Sequence, residues 1–503
     1  MLVKYYKYSN KSDYSKQQSK IYSLIALILL SVMLSGCLSD YQKASLAFED
    51  KEYSSAYNTY YPLAQNGEHR SQFQLGLMYE NGLGVVQDYD KAAHWYQLAA
   101  DQGNHAAQTN LGRMYYNGNS VEQNYDKAAQ LYTLAAKQGN DSALNNLAIM
   151  YLKGQSVHQD TDKAVSLLKR AARCGNVKAQ YALGKLYREG TQIERDDSKA
   201  VKYLKFAAEQ GHPAALNTLA LMYELGEGVV KAPSKAARLY KQAADNGLTA
   251  AQNNLGLMYM QGKGLRQDYD QSLQYLTKAA DAGEVNAQCA MGLLALKQNN
   301  NADADKWLDI AAEKNSRVAQ HSLGVLYFQK QDYQNAIKYY TLSANQGYHE
   351  AQNNLGLMYF EGTAVDQDYS LAYKWLKLAA NQNLPQSQYT VGWMYYKGLG
   401  VTQDYGIAAD WFRLAAQNGF TLAQARLGMM YLGGTGVSMN YSDAAKWLTL
   451  AADQGHLESQ NNLALLYIRG QGVQKDRRKA QHYLTLAAQQ GNSLAQQRLA
   501  MLN

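Results

Sequence analysis

Ser166 and Lys169 have the types and spacing of a catalytic S-x-x-K motif, in which a lysine accompanies a serine nucleophile. The S-D-N and K-T-G motifs that complete this set in penicillin-recognising enzymes do not occur in the sequence. A four-residue pattern this loose arises by chance, and it lies here in a segment with the periodicity of an ordinary helix. A glycine-rich phosphate loop with its lysine is also absent. The sequence therefore predicts a protein that is not an enzyme and needs no cofactor.

The nine histidines do not have the spacing of a metal site. His69, His105 and His349 share one position of an internal repeat, and His212 and His456 lie one residue earlier. Stacked helix pairs would place His69 and His105 roughly 10 Å apart, which is too far to share a zinc ion. We interpret the five as exposed residues at the starts of helices and predict no metal.

Polar residues at one repeat position are the candidates for binding a partner. An asparagine offers one acceptor and two donors, which suits it to bind a peptide backbone. The candidate peptide-binding residues are Asn110, Asn146, Asn254, Asn354 and Asn462. The same position carries Gln74, Thr218, Ser322, Thr390 and Arg426 in other repeats. A solvated helix face, or asparagine tying one repeat to the next, also explains the pattern, and we favour that alternative.

The repeat that positions these residues runs through most of the chain. A tyrosine recurs every 36 residues from Tyr79 to Tyr259, and the nine residues Ala251–Tyr259 reappear unchanged at 351–359. The predicted order, by residue range, is a degenerate capping helix pair within 37–67, six 36-residue repeats at 68–283, two 32-residue repeats at 284–347, four 36-residue repeats at 348–491 and a capping helix at 492–503. The short repeats predict a local change in superhelix curvature or, equally, a neutral loop deletion.

Each repeat has the pattern of two helices, here called A and B. In residues 104–139, Gly118 ends helix A and Asn124 stands at the N-cap of helix B. Glycine recurs inside helix A at the place of Gly112, although it costs about 1 kcal/mol there relative to alanine. The place of Leu131 in helix B is always large. Helices must therefore cross closely at the glycine, and the sequence predicts an all-α solenoid of stacked antiparallel helix pairs.

The first 36 residues have the layout of an export signal. A polar, lysine-bearing stretch precedes the apolar run 21–34, which is shorter than the roughly 20 residues of a membrane span. Leu34-Ser35-Gly36-Cys37 resembles the bacterial lipobox, which implies lipidation of Cys37 as the first mature residue. By the same resemblance, Leu38 favours the outer membrane. The alternative is a signal anchor with an incidental cysteine.

Charge and cysteine content argue against a nucleic-acid-binding protein and against a disulfide-linked one. Lysine and arginine number 49 against 42 acidic residues, and 44 against 41 without the first 36 residues, so no nucleic-acid partner is predicted. Cys174 and Cys289 lie several repeats apart, too far for a disulfide, and are predicted to be unpaired.

The pattern A-Q-x-x-L-G-x-M-Y-x-x-G, followed by D-Y-x-x-A-x-x-W-Y-x-x-A-A-x-x-G, resembles the Sel-one-like repeat, a relative of the tetratricopeptide repeat. The resemblance covers nearly all of residues 41–503. It implies a right-handed superhelix with a concave face lined mainly by helix A, where asparagines of tetratricopeptide relatives bind peptides. It also implies a role as an adaptor for protein complexes. The disulfides of the family's cysteine-rich branch are absent here.

These observations predict a non-catalytic scaffold that holds partner proteins or peptides. The predicted location is the outer membrane, facing the periplasm, through a lipid anchor at Cys37. One alternative is an enzyme or binder of cell-wall fragments, as claimed for the cysteine-rich branch. Another is a secreted or surface-displayed factor that contacts a host.

Overall fold

The computed structural model describes residues 38–502, and all regular elements in that part of the chain are α-helices, as predicted. A first pair, α1 (Asp40–Glu49) and α2 (Tyr53–Gln65), precedes twelve A–B pairs, and α27 (Ser493–Leu502) follows them. The A helices are α3 (His69–Asn81), α5 (His105–Asn117), α7 (Asp141–Lys153), α9 (Val177–Glu189), α11 (Pro213–Leu225), α13 (Thr249–Gln261), α15 (Val285–Lys297), α17 (Arg317–Gln329), α19 (His349–Glu361), α21 (Pro385–Lys397), α23 (Thr421–Gly433) and α25 (Leu457–Arg469). The B helices are α4 (Tyr89–Asp101), α6 (Tyr125–Lys137), α8 (Thr161–Arg173), α10 (Asp197–Glu209), α12 (Pro233–Asp245), α14 (Tyr269–Asp281), α16 (Asn301–Glu313), α18 (Tyr333–Asn345), α20 (Tyr369–Asn381), α22 (Tyr405–Gln417), α24 (Tyr441–Asp453) and α26 (Arg477–Gln489).

The chain divides into two compact units at Leu248. Unit 1 contains α1–α12 and unit 2 contains α13–α27. Within each unit, every helix packs against the helix before it and the helix after it in the chain. This consecutive packing of helix pairs is that of an α-solenoid.

The helix ends follow the predicted capping pattern. The side chains of Asp88, Asn124 and Asp160 each accept a hydrogen bond from the backbone N–H three residues later, at 2.8–2.9 Å. Pro233 begins α12, and Gly118 ends α5 in the left-handed conformation. These caps saturate backbone groups that a helix leaves unpaired at its ends.

In nine of the twelve A helices a glycine lies against the B helix of the same pair, which confirms the predicted crossing, and the other three have alanine there. A Cβ on Gly112 would lie 2.9 Å from Cε1 of Tyr132. The residue that meets the glycine is thus Tyr132, one residue after the position of Leu131 that the sequence analysis described as always large. The position of Leu131 instead packs against the preceding helix pair. Trp95, for example, contacts Tyr61 of α2, whereas Tyr96 is fully buried.

Buried glutamines near the start of nine A helices bond to the preceding helix, and all but Gln288 also bond to the end of the following B helix, a role that the sequence analysis missed. Gln424 Nε2 donates to the backbone carbonyl of Ala416 at 3.1 Å, and its Oε1 accepts from Gln454 Nε2 at 2.7 Å. The glutamines that bond the carbonyl eight residues earlier in the same way are Gln72, Gln108, Gln180, Gln288, Gln320, Gln352, Gln388, Gln424 and Gln460. These bonds help to fix eight of the A helices between the preceding and the following helix.

We expect Gln424→Met to destabilise unit 2 by about 1–3 kcal/mol, because it leaves the carbonyl of Ala416 without this donor. Gln417→Met is the matched control, since Gln417 is exposed on α22 and the chemical change is the same. Hydrogen exchange of α22 to α24 should accelerate in the first variant alone. Equal exchange in both would show that the glutamine bonds contribute nothing net.

Three-residue loops join the helices of the two short repeats. Residues 298–300 and 330–332 replace the longer A–B loop, with Asn299 and Gln331 at positive φ. Successive A helices α13, α15 and α17 contact each other directly there. The local change in superhelix curvature at the two short repeats stays a prediction.

The export signal and Cys37 lie outside the described residues. Within residues 38–502 no helix is long and apolar enough to cross a membrane. Cys174 is exposed and Cys289 buried, and both are free, as predicted.

Candidate protein-binding face

We call the solvent side of the A helices the A face. On α23 it carries Leu422, Arg426 and Met429, which follow one another at helical spacing and are exposed or half-buried. Gly428, which lies against α24, is buried instead. The A face therefore contains the position of the candidate asparagines.

The five candidate asparagines are half-buried, and at least four of them reach the preceding A–B pair, Asn146 through a hydrogen bond with Tyr132. Asn110 Nδ2 donates to the hydroxyl of Tyr96 at 3.1 Å. Asn354 Nδ2 lies 3.2 Å from Nε2 of His321, and Asn462 Nδ2 lies 3.1 Å from Sδ of Met429. Asn146 and Asn254 each accept from the asparagine before them, at 3.3 Å. These contacts have the form of links between repeats, and peptide binding by these residues stays a prediction.

In other repeats the same position bonds within its own helix. The hydroxyls of Thr218, Ser322 and Thr390 donate to the carbonyl four residues earlier, at 2.8–3.0 Å. Such a bond leaves the helix intact. It also occupies the hydroxyl hydrogen, which is then not donated to a binding partner.

In unit 1 the A face carries a cluster of mutually paired polar groups. Glu80 is buried, accepts a 2.7 Å hydrogen bond from the Tyr96 hydroxyl and forms an ion pair with Arg113. Asn110 donates to the same hydroxyl. Burial and the bond to Glu80 raise the pKa of Tyr96 far above its usual value, so the phenol stays neutral. The cluster joins α3, α4 and α5.

In unit 2 the A face carries two cations over a pair of aromatic rings. Trp393 and Tyr396 of α21 stack with ring centroids 5.6 Å apart. The Arg426 guanidinium of α23 lies 4.8 Å from the Trp393 ring and 5.6 Å from the Tyr396 ring. The Lys397 ammonium lies 5.1 Å and 5.8 Å from the same two rings. We call these four residues the cation–aromatic patch.

The histidines that the sequence placed at helix starts do lie there, but most are less exposed than predicted. His105 is exposed, whereas His69, His212, His349 and His456 are half-buried. His212 and His456 cap their helices by accepting backbone N–H bonds at 3.2 Å. Burial lowers the pKa of both, which favours the neutral ring that can accept. No cluster of three or more potential metal ligands occurs between residues 38 and 502.

Ser166 and Lys169 line a surface cavity of about 270 Å³ on α8. The other lining residues, Asp162, Val165, Arg170 and Arg173, belong to the same helix. A catalytic pocket requires groups that converge from several elements, and α8 alone supplies only one side of such a site.

The fold and the A face together define a helical-repeat protein of the α-solenoid class. A family model described as the Sel1 repeat matches eleven segments: 69–104, 105–140, 141–176, 177–212, 213–248, 249–284, 318–348, 349–384, 385–420, 421–456 and 457–492. The chain belongs to the Sel1 repeat family. Proteins of this family generally serve as protein-interaction scaffolds.

Solved structures of the family resemble this chain. The crystal structure of c5321, a protective antigen of uropathogenic Escherichia coli with an SLR fold, is 31% identical, with a TM-score of 0.62 over 89% of this chain and 97% of that one. A Sel1 repeat protein from Oxalobacter formigenes is 27% identical over 48% of this chain and 97% of that one, with a TM-score of 0.45. A search of curated proteins found no match.

Proposed function

We propose that this protein is a non-catalytic scaffold of the bacterial cell envelope that holds partner proteins on its A face. The cation–aromatic patch carries the proposal, because tryptophan, tyrosine and arginine dominate the binding energy of protein interfaces. Leu422 and Met429 lie beside it on α23 with 46% and 42% of their surfaces exposed. A partner could bury these side chains together with the aromatic rings.

The location in the envelope is the part of the proposal that depends on the amino terminus. The lipobox-like segment ending at Cys37 supports export and lipidation, and Leu38 supports the outer membrane with the solenoid facing the periplasm. A single acyl chain binds a membrane only weakly, so stable attachment needs the multiple chains of a mature lipoprotein.

A second candidate function is that of a surface factor that contacts a host. Its support is the 31% identity to c5321, which is described as a protective antigen. Both candidates use the same protein-binding face and differ in the side of the outer membrane on which it lies.

Photo-crosslinking in living cells tests the scaffold proposal. A crosslinking amino acid at Met429 on the A face should capture discrete proteins. The same amino acid at Leu414, which is 43% exposed on the B helix α22, is the matched control. Similar bands from both positions, or none from Met429, would count against the A face as the binding surface.

Protease treatment of intact cells separates the two locations, since only a surface-displayed solenoid should be cut. A Cys37→Ser variant should leave the membrane fraction if Cys37 is the anchor.

A further inference from the structure

We infer that the cation–aromatic patch binds an acidic segment of a partner protein, with a carboxylate side chain on Arg426 and Lys397 and an apolar side chain against Leu422 and Met429. This inference rests on the proposed function and specifies the chemistry of the partner. Helices α21 and α23 of unit 2 carry the two cations, the two apolar side chains and the two aromatic rings.

The two cations have no anionic partner of their own. In residues 38–502, neither Arg426 nor Lys397 forms an ion pair or a hydrogen bond. Carboxylates on neighbouring A helices, Glu361 of α19 and Glu458 of α25, also form no ion pair with them. Both positive charges lie over the same two rings, so an incoming carboxylate would be attracted by both of them.

Other arginines show what a satisfied guanidinium looks like in this chain. Arg113 pairs with Glu80, Arg413 pairs with Asp410, and Arg188 Nε lies 3.0 Å from Oε2 of Glu227. Arg426 differs because its charge lies over aromatic rings instead. In the sequence, Arg426 occupies the repeat position at which five other repeats have asparagine.

The contact with the aromatic rings leaves the donors of the guanidinium available. The Arg426 guanidinium carbon lies over the two rings, and none of its five N–H donors forms a hydrogen bond within residues 38–502. Two of these donors form the fork that binds a carboxylate in a bidentate manner. Because Trp393 and Tyr396 already hold the half-buried side chain in place, little of its conformational freedom remains to be lost on binding.

The exposed apolar residues next to the charges favour a peptide over a small anion. Leu422 lies one turn before Arg426 on α23 and Met429 lies one turn after it. An extended chain advances about 3.3 Å per residue, so a short segment spans the three side chains. A carboxylate flanked by apolar side chains matches this order.

The test uses two fluorescent peptides and the full-length purified protein. One peptide alternates glutamate with leucine, and the other replaces every glutamate with glutamine. Fluorescence anisotropy should show at least about tenfold tighter binding of the acidic peptide, and added salt should weaken it. Equal binding of the two peptides would overturn the inference.

Arg426→Gln should weaken binding of the acidic peptide about tenfold. Arg413→Gln is the matched control, because Arg413 lies on the B helix α22 and pairs with Asp410. Lys397→Gln provides a second variant at an exposed residue if the first reduces folding. Equal effects of Arg426→Gln and Arg413→Gln would contradict the inference.

Vesicles containing phosphatidylglycerol form a separate arm. Binding to vesicles that Arg426→Gln abolishes, without binding of the acidic peptide, would assign the patch to a membrane and overturn the inference. Crosslinks at Met429 in cells without acidic-peptide binding would leave the scaffold function standing and refute the inference alone.

Discussion

Replacing Gly228 with alanine should destabilise unit 1 by about 2–5 kcal/mol. Gly228 lies in the loop between α11 and α12 at φ +64°, where alanine costs about 1–2 kcal/mol. A Cβ there would also lie 2.6 Å from the backbone carbonyl carbon and oxygen of Asp197, at the start of α10. Backbone atoms cannot rotate away as a side chain can, so this overlap should add about 1–3 kcal/mol.

Gly211→Ala separates the two contributions. Gly211 has φ +77°, but a Cβ there would meet no heavy atom within 4 Å. Its alanine variant should lose only the conformational part, about 1–2 kcal/mol. Long repeat arrays need not unfold in one step, so hydrogen exchange in α10 and α12 is the appropriate measurement alongside denaturation. Equal losses in the two variants would mean that the loop moves away from α10 at little cost.

The repeat period made most of the fold predictable. A glycine that recurs inside helix A, as at Gly112, indicates a helix crossing, because the same lack of space for a larger side chain recurs along the chain. The residue that meets the glycine was harder to identify. Both Leu131 and Tyr132 belong to positions that are always large or aromatic, and only the structure shows that Tyr132 faces the glycine.

The glutamine bonds were missed for a different reason. Gln424 recurs in the A-Q pair of the repeat, but a polar residue next to the buried Ala423 has no hydrophobic period of its own. Its role becomes visible only through partners on two other helices. The division of the chain at Leu248 likewise has no counterpart in the sequence pattern.

The candidate site was predictable in position but not in composition. The asparagine position does lie on the A face, and Arg426 occupies it in α23. The patch also needs Trp393, which lies 33 residues earlier and is leucine in several other repeats. A contact between two non-repeating residues on different helices leaves no periodic signal, so one sequence without its fold cannot reveal it.

Removing Arg113 should cost more than removing its partner Glu80. The Glu80 side chain is only 10% exposed, whereas that of Arg113 is 41% exposed. Arg113→Met leaves a buried carboxylate whose one remaining donor within residues 38–502 is the Tyr96 hydroxyl, which should cost about 3–5 kcal/mol. Glu80→Leu leaves an arginine that can reach water and a Tyr96 hydroxyl that loses its acceptor but keeps the bond from Asn110, for about 1–3 kcal/mol.

The Glu80→Leu, Arg113→Met double variant distinguishes an ion pair that stabilises unit 1 from one that only avoids a penalty. Replacing both charges with apolar side chains removes the desolvation cost, so the double variant should be more stable than Arg113→Met alone and close to the natural protein. Denaturation midpoints of the four proteins form the cycle. Lys241→Met in the exposed pair with Asp245 should cost at most about 1 kcal/mol, because water screens that pair. If Arg113→Met costs no more than Lys241→Met, then packing of α3, α4 and α5 holds this part of the A face together, and the charges of Glu80 and Arg113 do not.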